Sequence, residues 1–238
     1  KSLISGTVAD IDAAGKIILP GVGNFTSGIN QLKKRGLVEI LSKKALNEKV
    51  PIMGICLGMQ LMTRHSEESN SKGLGWINAK TIRFDLPAEY KVPHMGWTEI
   101  SFQKKSLWSG LYAEQPRFYF VHSYRVVCEE PEDVLARSRY GEEFDCAFEK
   151  ENIIGVQFHP ESVLTMKSGS GFKMIENVVK GELGMNKIEK FLSDSIEGGL
   201  SVEEQVKFFE SFTPDKVKAE DLKIFADFML GKMADHLE

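Results

Sequence analysis

The sequence predicts an α/β protein: a mostly parallel sheet flanked by helices, with added β-strands and a C-terminal helical extension. Three observations carry that prediction. Up to residue 64, short apolar runs ending in glycine turns alternate with helix-length amphipathic stretches, the pattern of strand–helix–strand units. Between residues 75 and 155, several short alternating apolar stretches follow one another and imply extra strands. From residue 186 onward no strand signal remains, only three amphipathic helical stretches.

Residues 16–19 (KIIL) form an apolar run stopped by Pro20-Gly21-Val22-Gly23, so they read as a buried strand ending in a tight turn. A helix is expected over 26–47, with Ile29, Leu32, Leu37, Ile40 and Leu41 on its apolar face and Gly36 as an interruption. A second strand is expected over 50–55 and a second helix over 58–64. The later strand-like stretches are 81–84, 97–102, 118–121, 124–128, 144–148 and 153–158, with Tyr140-Gly141-Glu142 as a hairpin turn. Residues 172–179 supply a last helix before a junction at Gly181-Glu182-Leu183-Gly184. The expected division is therefore one domain over 1–184 and a helical extension over 185–238. In the extension, Ser201 and Glu204 form a capping-box pattern. Leu222, Phe225, Ala226, Met229, Leu230 and Met233 mark one apolar face.

A chain of 238 residues has room for one sizeable domain and a small appendage. A net charge of −4 argues against a dedicated nucleic-acid or anionic-membrane surface, both of which favour a basic balance. No apolar run approaches the roughly 18–20 residues of a membrane span, and the first residues carry no signal-peptide pattern. Cys56, Cys128 and Cys146 are odd in number and widely spaced, which makes neither a disulfide framework nor a zinc pattern. A reducing, cytoplasmic setting is expected, with no metal and no cofactor.

The stretch Gly54-Ile55-Cys56-Leu57-Gly58-Met59-Gln60 puts a cysteine on a strand-to-helix turn between small neighbours. Such a turn forces an unusual backbone conformation, needs glycines for close approach, and aims helix N–H groups at the sulfur. The heptapeptide by itself reads equally well as a buried structural cysteine. His159 lies in Ile154-Gly155-Val156-Gln157-Phe158-His159-Pro160-Glu161, at the end of another strand-like run. In a parallel sheet the carboxyl ends of strands share one rim, so Cys56 and His159 can meet there. Glu161 can then accept the second imidazole N–H and fix the tautomer. Pro20-Gly21-Val22-Gly23, at a third strand end, reads as a plain turn in isolation. Beside a nucleophile it offers backbone donors, with Leu57 N–H as their partner. His122 and His65 read more simply as a strand histidine and a loop residue, and Trp97 and Trp108 as packing anchors.

PGVGNF, GICLGMQ and GVQFHPE, in this order and at these separations, resemble class I (triad) glutamine amidotransferases. KVPHMGW, FYFVHSY and the GLG stretch over 73–75 are most similar to the branch serving imidazole glycerol phosphate synthase. The resemblance runs from roughly residue 8 to residue 180. It implies that Cys56 attacks the side-chain amide of glutamine, that His159 relays protons, and that Glu161 orients His159. It further implies an oxyanion strand of Gly21, Val22 and Gly23 with Leu57, glutamine positioning by Gln60, Ser123 and Tyr124, and a partner-facing segment with His94, Met95 and Trp97. The implied partner is a synthase or cyclase subunit that receives the ammonia, so the implied assembly is a heterodimer.

Two departures from the family pattern shape the expectations. Members begin with a strand and a long loop ahead of the segment that opens this chain, so the strand central to their sheet is expected to be missing. A sheet lacking an inner strand leaves backbone groups unpaired. After His159, the run HPESVLT resembles glutaminases of anthranilate and aminodeoxychorismate synthases, and the helical extension faintly resembles the helical part of anthranilate phosphoribosyltransferase. The alternatives are thus a glutaminase for a chorismate-using or sugar-modifying synthase, or an inactive truncated module that only binds a partner.

Overall fold

A computed structural model describes residues 3–106, 108–112, 115–162, 171 and 173–175. Gly6–Gly181 forms one compact unit. The expected helices over 172–179 and 185–238 lie outside the described residues, apart from a helical turn at 173–175.

The chain enters through α1 (Val8–Ala13), whose N-cap Thr7 side chain accepts the Asp10 N–H. The apolar run ending in Pro20-Gly21 forms β1 (Ile17–Gly21). The helix expected over 26–47 is divided into α2 (Phe25–Lys34), α3 (Leu37–Ser42) and a wider π turn over Lys43–Asn47. Asn24 starts α2 by accepting the Ser27 N–H at 3.0 Å. Gly36, at φ 67°, supplies the left-handed residue that ends one helix and redirects the chain into the next. Then come β2 (Ile52–Cys56) and the short α4 (Leu57–Leu61).

Beyond α4 lie the short strands β3 (His65–Ser66) and β4 (Ser71–Lys72), then β5 (Ala79–Arg83), β6 (His94–Phe102), β7 (Arg117–His122) and β8 (Tyr124–Cys128). His65 thus sits in a short strand rather than in a loop. The last strands are β9 (Val134–Tyr140), β10 (Glu142–Lys150) and β11 (Ile153–Val156). The sheet is mixed, in the order β1-β2-β11-β10-β8-β5-β3-β4, with β9 beside β10, β6 beside β9 and β7 beside β6. Pairing is parallel across β1-β2-β11 and antiparallel from β11 through β10, β8 and β5. Strand β9 escaped the sequence reading because Arg137 and Arg139 interrupt its apolar alternation. Arg137 is held across the hairpin by Asp145 (3.0 Å) and Glu143 (3.2 Å), and the turn between the strands is Gly141 at φ 70°.

Period-2 alternation sends successive strand residues to opposite faces. Ile52 and Ile153 join Phe25, Ile29, Leu32, Leu41, Met59 and Leu61 in a core under α2, α3 and α4. Met53, Ile55, Ile154 and Val156 face the other way, into a core with Phe118, Phe120, Phe144, Cys146 and Phe158. The rings of Phe118 and Phe158 stack there with centroids 4.1 Å apart. Each fully buried side chain of this size stabilises the fold by about 1.5–3 kcal/mol. The two cores clamp β2 and β11 from both sides, and the far ends of these strands lead to Cys56 and to the residues after Val156.

Candidate active site

Cys56 is the last residue of β2 and the cap of α4, at φ 52° and ψ −111°. A non-glycine residue there carries strain of about 1–3 kcal/mol, which the surroundings must over-determine. They do so through glycines. A Cβ on Gly58 would fall 1.8 Å from the Leu19 carbonyl oxygen, and one on Gly54 would meet the Gly58 carbonyl at 2.8 Å. Gly54 and Gly155 pair in register across β2 and β11. A Cβ on Gly155 would meet Phe148 at 2.3 Å and Met59 at 2.6 Å. Side by side, these two glycines form a flat bed on which α4 lies, so that the chain can turn sharply at Cys56.

Val156 is level with Ile55 in the parallel ladder, so the residues that follow each strand emerge together. Gln157 comes level with Cys56, and its Nε2 donates to the sulfur at 3.6 Å. His159 is buried; its backbone N–H donates to the Tyr119 carbonyl of β7 at 2.9 Å. Its Nδ1 meets Glu161 Oε1 at 2.8 Å. A carboxylate can only accept, so the proton of this bond is on Nδ1. Nε2 makes no full hydrogen bond among the described residues. Burial pushes the imidazole pKa down, but the Cys56 sulfur and the Glu161 carboxylate outweigh it and raise it to about 10. The sulfur and the carboxylate thus both bear on the His159 imidazole.

Gly21 is the ladder partner of Cys56 in β1-β2. A Cβ on it would lie 3.1 Å from the Leu57 Cβ and 3.2 Å from the Gly58 nitrogen, so the β1 end packs directly against the elbow. Val22 follows, and Gly23 adopts φ 92°. The turn that was featureless in isolation is thus contiguous with Cys56 and Leu57.

Gln60 is buried and turned toward protein groups: its Nε2 donates to Gln157 Oε1 at 2.9 Å and to the Tyr124 carbonyl at 3.2 Å. Tyr124 reaches the site through this backbone carbonyl. Ser123 is half-buried, and its carbonyl accepts the Phe84 N–H at 3.1 Å. In the segment expected to face a partner, Met95 is 46% exposed and Trp97 is half-buried, its ring 5.9 Å from Tyr119. His94 does not share that surface. Alternation along β6 turns it inward, where it stacks between Phe120 (5.0 Å) and Tyr140 (4.1 Å). Its Nδ1 meets His122 Nε2 at 3.0 Å, and its Nε2 meets Thr98 Oγ1 at 2.9 Å.

Gln157 and the His94–His122 pair are what the sequence reading missed as parts of one network. The available signal for Gln157 was its place two residues before His159, on the strand end level with the cysteine. Burial pushes the Cys128 and Cys146 thiols well up, as expected of structural cysteines. Among the described residues, no group of three or more His, Cys, Asp and Glu side chains could hold a metal ion. No described helix is long and apolar enough to cross a membrane.

The model of the family "Glutamine amidotransferase class-I" matches residues 3–178. A relative from Methanococcus maripaludis, imidazole glycerol phosphate synthase subunit HisH 2, is 51% identical over 170 residues, covering 71% of this chain and 82% of the relative. A protein of the same name from Pseudomonas aeruginosa is 45% identical over 162 residues, covering 68% and 80%. Among solved structures, a glutamine amidotransferase aligns with TM-score 0.52 at 16% identity over 66% of this chain and 76% of that one. A chain of PurLQS from Thermotoga maritima aligns with TM-score 0.51 at 18% identity, over 68% and 78%.

Proposed function

Because the chain belongs to the class I glutamine amidotransferase family, we propose that it is the glutaminase subunit of an imidazole glycerol phosphate synthase in histidine biosynthesis. The observation that supports the mechanism is that β2 and β11, paired in parallel, end level with each other, with Gln157 donating to Cys56 and His159 bonded to Glu161 just beyond.

The Cys56 thiol gives its proton to His159 Nε2, and the sulfur attacks the side-chain amide carbon of glutamine, forming a C–S bond and pushing the carbonyl electrons onto oxygen. The turn Gly21-Val22-Gly23 and the Leu57 N–H supply donors for that oxyanion, an interaction worth about 2.7–4 kcal/mol for each donor. Collapse breaks the C–N bond, and His159 gives its proton to the departing nitrogen, which leaves as ammonia. Water then attacks the thioester with His159 as base, releasing glutamate and the thiol. Glu161 keeps the proton on Nδ1, so Nε2 is the nitrogen free to exchange protons at the sulfur and substrate. The family resemblance assigns glutamine positioning to Gln60, Ser123 and Tyr124, although the Gln60 amide nitrogen is committed to Gln157 and the Tyr124 carbonyl.

A synthase or cyclase subunit receives the ammonia, and the exposed Met95 beside Trp97 is the surface on which it docks. No cofactor is needed for this chemistry. A reducing cytoplasm would keep the Cys56 thiol usable. The chemistry is assigned to residues 1–184, and the 185–238 extension is an accessory segment.

The test is glutamate release from glutamine, with and without the cyclase subunit of the source cell. Turnover that requires Cys56 and rises with the cyclase supports the reading; full turnover in Cys56→Ala overturns it. Stimulation by a chorismate-using or sugar-modifying synthase instead would keep the glutaminase and change the acceptor. A folded complex that releases no glutamate would make the chain a partner-binding module.

A further inference from the structure

The geometry points to Gln157 as a further catalytic residue: its side-chain amide donates a hydrogen bond to the Cys56 sulfur and is locked in that direction by Gln60 and the Tyr124 carbonyl. This rests on the reading of Cys56 as the nucleophile.

An amide can face a sulfur with either its oxygen or its nitrogen, with opposite consequences. Nitrogen toward sulfur stabilises a thiolate, whereas oxygen toward sulfur opposes it. Here the choice propagates from one backbone group. The Tyr124 carbonyl can only accept, so Gln60 must turn its nitrogen toward it (3.2 Å). The other hydrogen of that nitrogen then meets Gln157 Oε1 at 2.9 Å. With its oxygen committed, Gln157 presents Nε2 to Cys56 Sγ at 3.6 Å. Gln157 is fully buried and Gln60 nearly so, so water does not compete for either amide.

The Tyr124 carbonyl is held from its other side. His122 Nδ1 lies 2.8 Å from it and must donate, which leaves Nε2 as an acceptor. His94 Nδ1 therefore donates to His122 Nε2 at 3.0 Å, and Thr98 Oγ1 donates to His94 Nε2 at 2.9 Å. Two donor series, one from Thr98 and one from Gln60, converge on the same oxygen. Converging donors cannot pass a proton from end to end, so the arrangement orients and does not relay. His94, His122 and Gln60 are positioning residues that act through the Tyr124 carbonyl and Gln157.

The experiment measures the rate of iodoacetamide alkylation of Cys56 between pH 6 and 10, read by mass, beside glutamate release by the same proteins. Thiolate attack forms the S–CH2 bond and expels iodide, so the rate reports the thiolate without substrate. In Gln157→Met, which keeps the volume and removes the donor, alkylation at pH 7 should fall about ten-fold and its pH profile move up by about one unit. Gln157→Glu, which turns an oxygen onto the sulfur, should fall further. kcat should drop with little change in KM. Should either Gln157 variant fail to fold, Gln60→Met frees the Gln157 amide to turn and should give a smaller fall, about three-fold, in the same alkylation rate. Folded variants that alkylate with the wild-type profile overturn the role of Gln157 while leaving Cys56 as nucleophile. A wild-type Cys56 inert to iodoacetamide, in a protein that releases no glutamate, overturns both.

Discussion

Gly58 and the Leu19 carbonyl are packed so closely that a Cβ on Gly58 would sit 1.8 Å from that oxygen. The contact joins the helix behind Cys56 to the strand that ends in the Pro20-Gly21-Val22-Gly23 turn. The two sides of the site are thereby built against each other rather than held separately. Backbone cannot retreat as a flexible side chain can, so Gly58→Ala must displace α4 or β1. The expected cost is about 3 kcal/mol or more, a fall in melting temperature of roughly 6–12 °C for a chain of this size. Thermal unfolding followed by circular dichroism checks it, and a variant melting with the wild type would contradict the contact.

His159 makes stability fall as pH rises. Its pKa is raised from 6.5 to about 10 in the folded state. A histidine raised in this way contributes fully below about pH 6.5 and loses its contribution as pH climbs through about 10. Denaturant unfolding at intervals from pH 6.5 to 10 should show wild-type stability declining across that window. Cys56→Ala removes one cause of the shift, so its decline should be shallower. Equal slopes in the two proteins would show that the sulfur does not act on the imidazole.

The His94–His122 pair has the opposite sign. Burial among aromatic rings pushes His94 down from 6.5 to about 4 and His122 down to about 3, the latter also opposed by its neighbours His94 and His159 and partly offset by the Tyr124 carbonyl. Below pH 6.5 the unfolded chain takes up protons that the folded pair refuses, so stability is lost as pH falls toward about 4 and then 3. The loss between pH 7 and pH 5 should be on the order of 1–2 kcal/mol per histidine. Urea unfolding of His122→Asn at both pH values tests this. The variant starts from lower stability but should lose less on acidification than the wild type does.

Met95, 46% exposed, offers an apolar side chain on the outward face of β6. Met95→Asp should leave the melting temperature within about 2 °C of wild type, since exposed substitutions cost within about 0.5 kcal/mol. Affinity for the proposed cyclase partner should fall about ten-fold or more, as expected of a residue central to an interface. Titration calorimetry with that subunit measures it, and unchanged affinity would move the docking surface elsewhere.

Much of the site was legible in the chain alone. The order of Gly21, Cys56 and His159 along the chain, each after an apolar run, led to the expectation that they share one rim, with Glu161 two residues beyond His159. Glycine at positions 54 and 58 signalled a close-packed elbow. Helix limits were less legible: the stretch over 26–47 keeps its apolar spacing across Gly36, so periodicity did not say where α2 stops. Strand β9 was hidden because its two arginines interrupt the alternation, and the acids on β10 that hold Arg137 come near only through pairing.

By itself the sequence determined the α/β class, the elbow and the three residues expected to perform the chemistry, because these depend on local turn geometry and on strand ends sharing a rim. The tertiary structure alone decided that His94 points inward while Met95 points out. Alternation separates the two faces of a strand without saying which one is covered. It also decided which atom of Gln157 faces Cys56. An amide presents oxygen and nitrogen in nearly the same shape, and the choice comes from a carbonyl at Tyr124, on a strand separated from β2 by β11 and β10.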